Sequence, residues 1–437
     1  MSLPFESILE QISTADLAER RGKVVEAYGT LIKVTGIQAR LGDLCELRSK
    51  SGGVSLKAEV VGLRDRQTWL APLGPLEGVS TDMEVIVSDA RADIGLDERI
   101  LGRTLDAFLE PIDGGPVYTW RDRVPLYRAT PNPLKRLPVD KVLPSGVRAI
   151  DGLTPVGLGQ RVGIFAVAGG GKSTLLGMLA KGAEADVNVI VLVGERGREV
   201  HEFIHDTLGE AGLRKSVLIV ATSDRPALER CRAAYVGTAI AEYFRDRGKR
   251  VVLMMDSVTR YARALRDIGL ALGEPPARRG YTPSVFAQLP RLFERAGNNE
   301  FGYITAFYTV LIEDEQEGDD PLAEEVRSLL DGHIYLSRKL ATEGQYPAID
   351  VLVSASRLFG RIATAEHIEA ARIFRSLLAK YREIELLVRV GEYVKGADRE
   401  ADSALEKIGR IRDFLKQRSD NLLPFDDIIG QLRQVVS

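Results

Sequence analysis

The chain has 437 residues, 45% hydrophobic and 28% charged, with a formal net charge of −3. That length exceeds what one compact core usually holds, so two or three domains are expected. The near-neutral charge gives no global attraction to nucleic acid or anionic lipid. Two distant cysteines, Cys45 and Cys231, exclude a disulfide framework or Cys-rich zinc site and point to a reducing compartment.

The start, Met1-Ser2-Leu3-Pro4-Phe5-Glu6, lacks the basic and apolar regions of a secretory signal. Apolar runs such as residues 189–193 are too short to span a bilayer, so any membrane role is expected to be peripheral and the protein cytoplasmic. Phe5, Ile8, Leu9 and Ile12 fall at helical spacing. They predict a short amphipathic helix that either lies on its own domain or docks a partner. Glu6 and Glu10 argue against its binding acidic lipid.

From Lys23 to about Ser88 the texture is β, with short runs at 24–34, 56–63, 68–73 and 84–87 separated by Gly and Asp turns. Several short strands in this span suggest a small barrel. The barrel shows no interleaving of aromatics with Lys and Arg, which weighs against single-stranded nucleic acid as a ligand. A proline-rich stretch from Pro131 to Pro144 then reads as extended connection. Beyond it, apolar strand-like runs at 161–166, 187–193, 217–221, 251–255 and 303–311 alternate with helical stretches. Such alternation predicts a parallel sheet covered on both faces. After about Phe359 the pattern turns helical. Faces are marked by Ile373, Phe374, Leu377, Leu378, Tyr381 and Ile384, by Ala401, Leu405, Ile408 and Leu415, and by Ile428, Ile429, Leu432 and Val436. The expected domains are 1–88, 89–359 and 360–437.

The segment Gly163-Ile164-Phe165-Ala166-Val167-Ala168-Gly169-Gly170-Gly171-Lys172-Ser173-Thr174 runs an apolar strand into a glycine-rich turn and a helix. Its small residues let backbone N–H groups from Ala168 through Thr174 curl around phosphate, at the positive end of the helix. Lys172 is placed for the β- and γ-phosphates and the Ser173 hydroxyl for Mg²⁺. Ala166 stands where the motif usually has its first glycine, a tolerable change where φ stays negative.

Two further segments gain meaning beside this turn. Arg250-Val251-Val252-Leu253-Met254-Met255-Asp256 is an apolar strand ending in a carboxylate, suited to the water shell of Mg²⁺. Val191-Leu192-Val193-Gly194-Glu195-Arg196 puts Glu195 at the end of the next strand, where it can polarise water beyond the γ-phosphate. Taken alone, the first reads equally as an ordinary strand end, and composition alone favours reading the second as a solvated charge run. His201-Glu202-Phe203-Ile204-His205 matches the H-E-x-x-H zinc pattern, but nothing after it is distinctive of a metalloprotease, so it reads as ordinary helix.

Together with Gly194-Glu195-Arg196-Gly197-Arg198-Glu199, the segments Asp256-Ser257-Val258-Thr259-Arg260-Tyr261-Ala262-Arg263, Gly273-Glu274-Pro275-Pro276-Ala277-Arg278-Arg279-Gly280-Tyr281 and Tyr346-Pro347-Ala348-Ile349-Asp350 resemble the rotary-type ATPases. The resemblance is greatest to the type III protein secretion ATPases of injectisomes and flagellar export, relatives of the ATP synthase catalytic subunit. It covers most of the chain from about Gly22 and is dense from Gly146 to Arg357. It implies an α/β fold, with a RecA-like P-loop core, a small N-terminal β-barrel and a C-terminal helical domain. By position it implies Lys172 and Ser173 on phosphate and metal, Glu195 as catalytic carboxylate and Asp256 in the metal shell. Arg196 would pair with neighbouring carboxylates, Tyr346 would stack on adenine, and Arg357 would reach across a subunit boundary. A shared site implies a homohexameric ring. The loop near Arg278 and Arg279 is expected to face its axis, with Thr282 where many relatives have proline. The implied activity is ATP hydrolysis coupled to protein export at the cytoplasmic face of the membrane. The implied partners are a central stalk protein, a peripheral regulator and chaperone–substrate complexes, not nucleic acid. Rival readings are a rotary synthase subunit, a Rho-type RNA translocase and a non-catalytic nucleotide-binding subunit.

Overall fold

A computed structural model describes residues 21–49, 55–88, 93–167, 169–313 and 320–437. The helix expected around residues 5–12 lies outside them. Six strands, β1 (Arg21–Tyr28), β2 (Leu31–Thr35), β3 (Leu44–Arg48), β4 (Ser55–Arg64), β5 (Gln67–Pro72) and β6 (Glu84–Val87), close into a barrel in the order β1-β2-β5-β4-β3-β6. Alternate residues such as Ile32, Val34, Cys45 and Leu47 fill its interior. Closure leaves no sheet edge to aggregate. The run at 24–34 is not one strand. It folds back at Gly29, whose φ of +60° makes the hairpin between β1 and β2. β3 was not anticipated, because its Cys-Glu-Leu-Arg texture carries no run of β-branched residues.

The next sheet has eight strands: β8 (Thr104–Leu105), β10 (Arg161–Ala166), β11 (Val187–Val193), β12 (Ser216–Ala221), β13 (Arg250–Asp256), β14 (Tyr303–Leu311), β15 (Gly332–Leu336) and β16 (Ala355–Ser356). Their order is β16-β15-β10-β14-β13-β11-β12-β8. Every pairing is parallel except β15 with β16. β7 (Asp93–Leu96) and β9 (Asp122–Pro125) form a small antiparallel pair beside it. The five runs read as core strands are β10 to β14. All seven residues of β11 are buried, as a parallel strand covered on both faces requires.

Helix Ala227–Arg245 lies on one face, in a core with Val189, Val191 and Leu253. On the other face the helix Lys172–Gly182 shares a core with Ile190 and Leu192 and with Phe374, Phe414 and Ile428 of the C-terminal helices. Those helices are Ala365–Val390, Arg399–Leu415 and Phe425–Val436. Thr364 caps the first, accepting from His367 N at 3.3 Å, and Gly391 ends it in the left-handed region. Asp398 caps the second through Glu400 N at 2.8 Å. Among the described residues no helix is long and apolar enough to cross a membrane. Cys45 and Cys231 are buried and free.

The strand order decides where chemistry can sit. Because β14 lies between β10 and β13, and β11 follows β13, the carboxyl ends of the P-loop strand and of the strands carrying Asp256 and Glu195 face one crevice. Helix Ala227–Arg245 holds this part of the sheet through close approach at Gly237, where a Cβ would overlap Val191 Cγ2. Val191 is β-branched and enclosed, so it has no rotamer to yield. Gly237→Ala gains about 1 kcal/mol in helix propensity but is expected to lose about 1–3 kcal/mol to overpacking. A net fall in the urea midpoint is the expected outcome, and an unchanged or higher midpoint contradicts this packing.

Candidate active site

β10 ends at Ala166, buried and paired with Leu311 and Leu336 on its two sides. Extended backbone here accepts the methyl group that replaces the motif's first glycine. The turn that follows has Gly169 at φ +80° and Gly171 at φ +82°. Both lie in the region that side chains rarely adopt. Gly171 caps helix Lys172–Gly182 with no side-chain hydrogen bond, and no acidic residue stands in the first turn. The first N–H groups and the positive helix end are therefore open to an anion. Ser173 and Thr174 are exposed in that turn, while Ala168 lies outside the described residues.

Lys172 Nζ lies 3.3 Å from Glu195 Oε1 and in direct contact with Asp256 Oδ1. The side chains of Lys172, Glu195 and Asp256 are only 13%, 8% and 5% exposed, so the charges meet out of water. Burial is the largest influence on Lys172 and pulls its pKa down, but the Asp256 and Glu195 carboxylates together hold it above its ordinary value. The ammonium stays charged. Arg260, one turn into helix Val258–Ala271, completes the cluster: its Nη1 is 2.5 Å from Glu195 Oε2 and 2.7 Å from Gly194 O. Two cations thus face two carboxylates.

Arg260 stood inside a recognised segment, yet no role attached to it. Arg196, expected to pair with neighbouring carboxylates, pairs with Glu199. Arg196 is 76% exposed at the rim, 3.9 Å from Glu199 Oε1, while the cations on Glu195 are Lys172 and Arg260. Adjacent positions at a strand end point in different directions, and only the helix after β13 aims a guanidinium inward. A second unforeseen group is Thr309 on β14, which donates to Asp256 Oδ1 at 2.7 Å.

A cavity of about 550 Å³ opens beside the glycine turn, between Thr174 and Met178 of the P-loop helix, Tyr346, and the loop from Lys416 to Asp420. Tyr346 is half exposed, with its ring 3.8 Å from a Cβ placed on Gly171. Gln417 N donates to Tyr346 O at 2.7 Å. The Gln417 side chain accepts from Arg148 N at 2.8 Å and donates to Gly146 O at 2.7 Å. The helical domain therefore forms one wall of the cavity. No motif signalled this loop, because its contacts are set by docking and not by local pattern.

Arg357 is not brought to this site. Its backbone N–H donates to Asp331 O at 3.0 Å, level with Arg161 at the start of β10. Five residue steps at about 3.3 Å place it roughly 17 Å from the carboxyl end of that strand. His201 and His205 meet at a 37° tilt with ring centroids 4.2 Å apart, and the described residues contain no group of three or more His, Cys, Asp or Glu side chains placed to hold a metal. Their segment instead packs the π-helical turn Phe203–Leu208 on the P-loop helix, so closely that a Cβ at Gly177 would overlap Thr207.

Comparison with known proteins places this geometry. Residues 146–356 match the nucleotide-binding domain of the ATP synthase alpha/beta family, and residues 24–88 match that family's beta-barrel domain. Residues 363–434 match the T3SS EscN ATPase C-terminal domain. The type 3 secretion system ATPase of Xanthomonas euvesicatoria is 54% identical, over 98% of this chain and 97% of that one. The flagellum-specific ATP synthase of Bacillus subtilis is 48% identical over 98% of each. The assembled ATPase EscN of the enteropathogenic E. coli type III secretion system superposes with a TM-score of 0.90 at 46% identity, covering 95% of this chain and all of that one. EscN in complex with its central stalk EscO gives 0.87 at 45% identity, with the same coverage. Barrel, nucleotide-binding core and helical domain are thus matched in order along the chain, which belongs to the ATP synthase alpha/beta family as one of its type 3 secretion ATPases.

Proposed function

We propose that this chain hydrolyses Mg²⁺–ATP as a homohexameric ring and couples that hydrolysis to protein export. The observation that carries the reading is the convergence of Lys172, Glu195 and Asp256 at an uncapped, glycine-lined helix start. Backbone N–H groups of Gly169, Gly170, Gly171, Lys172, Ser173 and Thr174, with Ala168 before them, cradle the phosphates. Lys172 exchanges its carboxylate partners for the β- and γ-phosphates. Tyr346 stacks on adenine in the neighbouring cavity. Ser173 and Asp256 offer only oxygen, the donor set that suits a hard cation retaining much of its water. They would hold Mg²⁺, which neutralises phosphate charge when bound. Glu195, oriented by Arg260 and freed from Lys172, accepts hydrogen from the attacking water. Arg196 supports the rim through Glu199.

The ring follows from Arg357. An arginine finger spreads transition-state charge and is worth ~10³ to 10⁵ in rate. Arg357 stands at the far end of its own sheet, so it acts on the P-loop of a neighbouring protomer. The assembled state of EscN supports this arrangement, and the EscN–EscO complex supports a central stalk inside the ring. A peripheral regulator and peripheral attachment to the inner face of the cytoplasmic membrane complete the proposed setting. Chaperone release and substrate unfolding are its proposed work. Among curated relatives, identities to secretion ATPases run from 46 to 54% and those to flagellar ones from 45 to 48%, and the two highest, 54% and 50%, both to secretion ATPases, favour an injectisome over flagellar export.

Lys172→Ala is expected to abolish nucleotide binding and turnover, and undiminished affinity for a fluorescent ATP analogue contradicts the P-loop assignment. Arg357→Ala is expected to lose ~10³ in kcat with affinity changed no more than a few-fold. Mixing these two inactive variants supplies the second measurement. Hybrid rings regain ATPase activity if Arg357 crosses the boundary, because a Lys172→Ala protomer lends its arginine to an intact neighbouring P-loop. Mixtures as inactive as the separate variants would refute the shared site.

A further inference from the structure

β14 is buried along most of its length, so a hydroxyl left unpaired there is costly. Thr309 has no exposed surface. Two acceptors lie within its reach: Asp256 Oδ1 at 2.7 Å and the Met255 carbonyl at 3.2 Å. One hydroxyl carries one proton, and the shorter, charge-assisted contact to the carboxylate takes it. Sheet order explains why this position serves. β14 separates β10 from β13, and Thr309 is level with Ile164 of the strand that feeds the glycine turn. The hydroxyl therefore approaches Asp256 from inside the sheet, away from the crevice.

The same oxygen of Asp256 also receives Lys172 Nζ. These two donors differ in permanence. Lys172 sits on a flexible stem at the start of a helix and is the group a triphosphate competes for. Thr309 is β-branched, enclosed, and fixed in a central strand. When phosphate claims the ammonium, the Thr309 hydroxyl remains.

We propose that Thr309 is a positioning residue for the metal: it pins Asp256 Oδ1 from the interior and leaves Oδ2 to the water shell of Mg²⁺. This rests on the reading of the crevice as a Mg²⁺–nucleotide site. Thr309→Val keeps the shape and removes the hydroxyl, so the carboxylate loses its fixed orientation once Lys172 departs. Thr309→Ser keeps the donor.

The test measures affinity of the full-length chain for a fluorescent ATP analogue, with Mg²⁺ and with a chelator, alongside kcat and KM. For Thr309→Val, affinity in chelator is expected to stay within about twofold of wild type, while the enhancement by Mg²⁺ falls roughly tenfold, the scale of one hydrogen bond to a charged group. Thr309→Ser is expected to restore that enhancement. In an Asp256→Asn background the valine change is expected to add nothing, because its effect passes through the carboxylate. Full Mg²⁺ enhancement in Thr309→Val overturns the proposal. So does equal loss of affinity in chelator, since that marks a collapsed pocket and not a misplaced carboxylate. A wild-type chain that binds the analogue no better with Mg²⁺ than without it sinks the metal site itself, and the two failures are thereby told apart.

Discussion

Lys172 is where the charges of this site balance. Its ammonium joins Asp256 at the end of β13 to Glu195 just beyond β11, and all three side chains are largely withdrawn from water. Removing one partner of a buried ion pair typically costs about 3–5 kcal/mol, because the other is left desolvated and alone. Arg260 offsets the charge of Glu195, and the Thr309 hydroxyl keeps a hydrogen bond on Asp256. The cluster therefore stays assembled while Lys172 itself is free to change partner. A phosphate that draws the ammonium away does not leave two bare carboxylates. It leaves one held by a guanidinium and one by a hydroxyl, each with an oxygen facing the crevice's chemistry. The strand order β10-β14-β13-β11 is what makes this possible, since it sets the four contributing elements side by side.

Much of this arrangement was legible because it rests on local patterns. A parallel strand buried on both faces must be apolar throughout, so β10 to β14 announce themselves. The glycine turn announces itself for a similar reason: φ values near +80° at Gly169 and Gly171 exclude most other residues. The features that escaped are those decided by tertiary contact. β16 is two residues long and antiparallel, and its existence depends on β15 beside it. Arg260 and Thr309 look like any helical arginine and any strand threonine until the sheet brings Glu195 and Asp256 against them. Arg196 drew attention instead through the resemblance, and it sits beside Glu195 in sequence without facing it. Adjacency is a poor guide at a strand end, where the next residue turns outward to the rim.

Arg357 shows the opposite case. Its role came from resemblance alone, and no pattern in the chain distinguishes it. The fold adds a physical reason for that role. Arg357 is tied to the amino-terminal ends of β10 and β15, through Asp331, while the glycine turn leaves the carboxyl end. A rigid sheet holds the two apart, so no rearrangement of a loop can join them within one protomer. The proposed ring is a heterologous, head-to-tail repeat of such sheets, and its closure would supply every crevice with an arginine.

The cavity beside Tyr346 extends the same logic to the third domain. One wall belongs to the core and the other to residues 416–420, which lie between the second and third C-terminal helices. Gln417 fastens this loop to Gly146, Arg148 and Tyr346, and its buried side chain also donates to Asn421 O at 2.6 Å. A ligand seated there touches the P-loop helix and the helical domain at once, so its binding energy depends on their relative placement. By reciprocity, whatever moves the helical domain alters affinity at the cavity. The C-terminal helices are thus part of the cavity beside the glycine turn, held to it through Gln417.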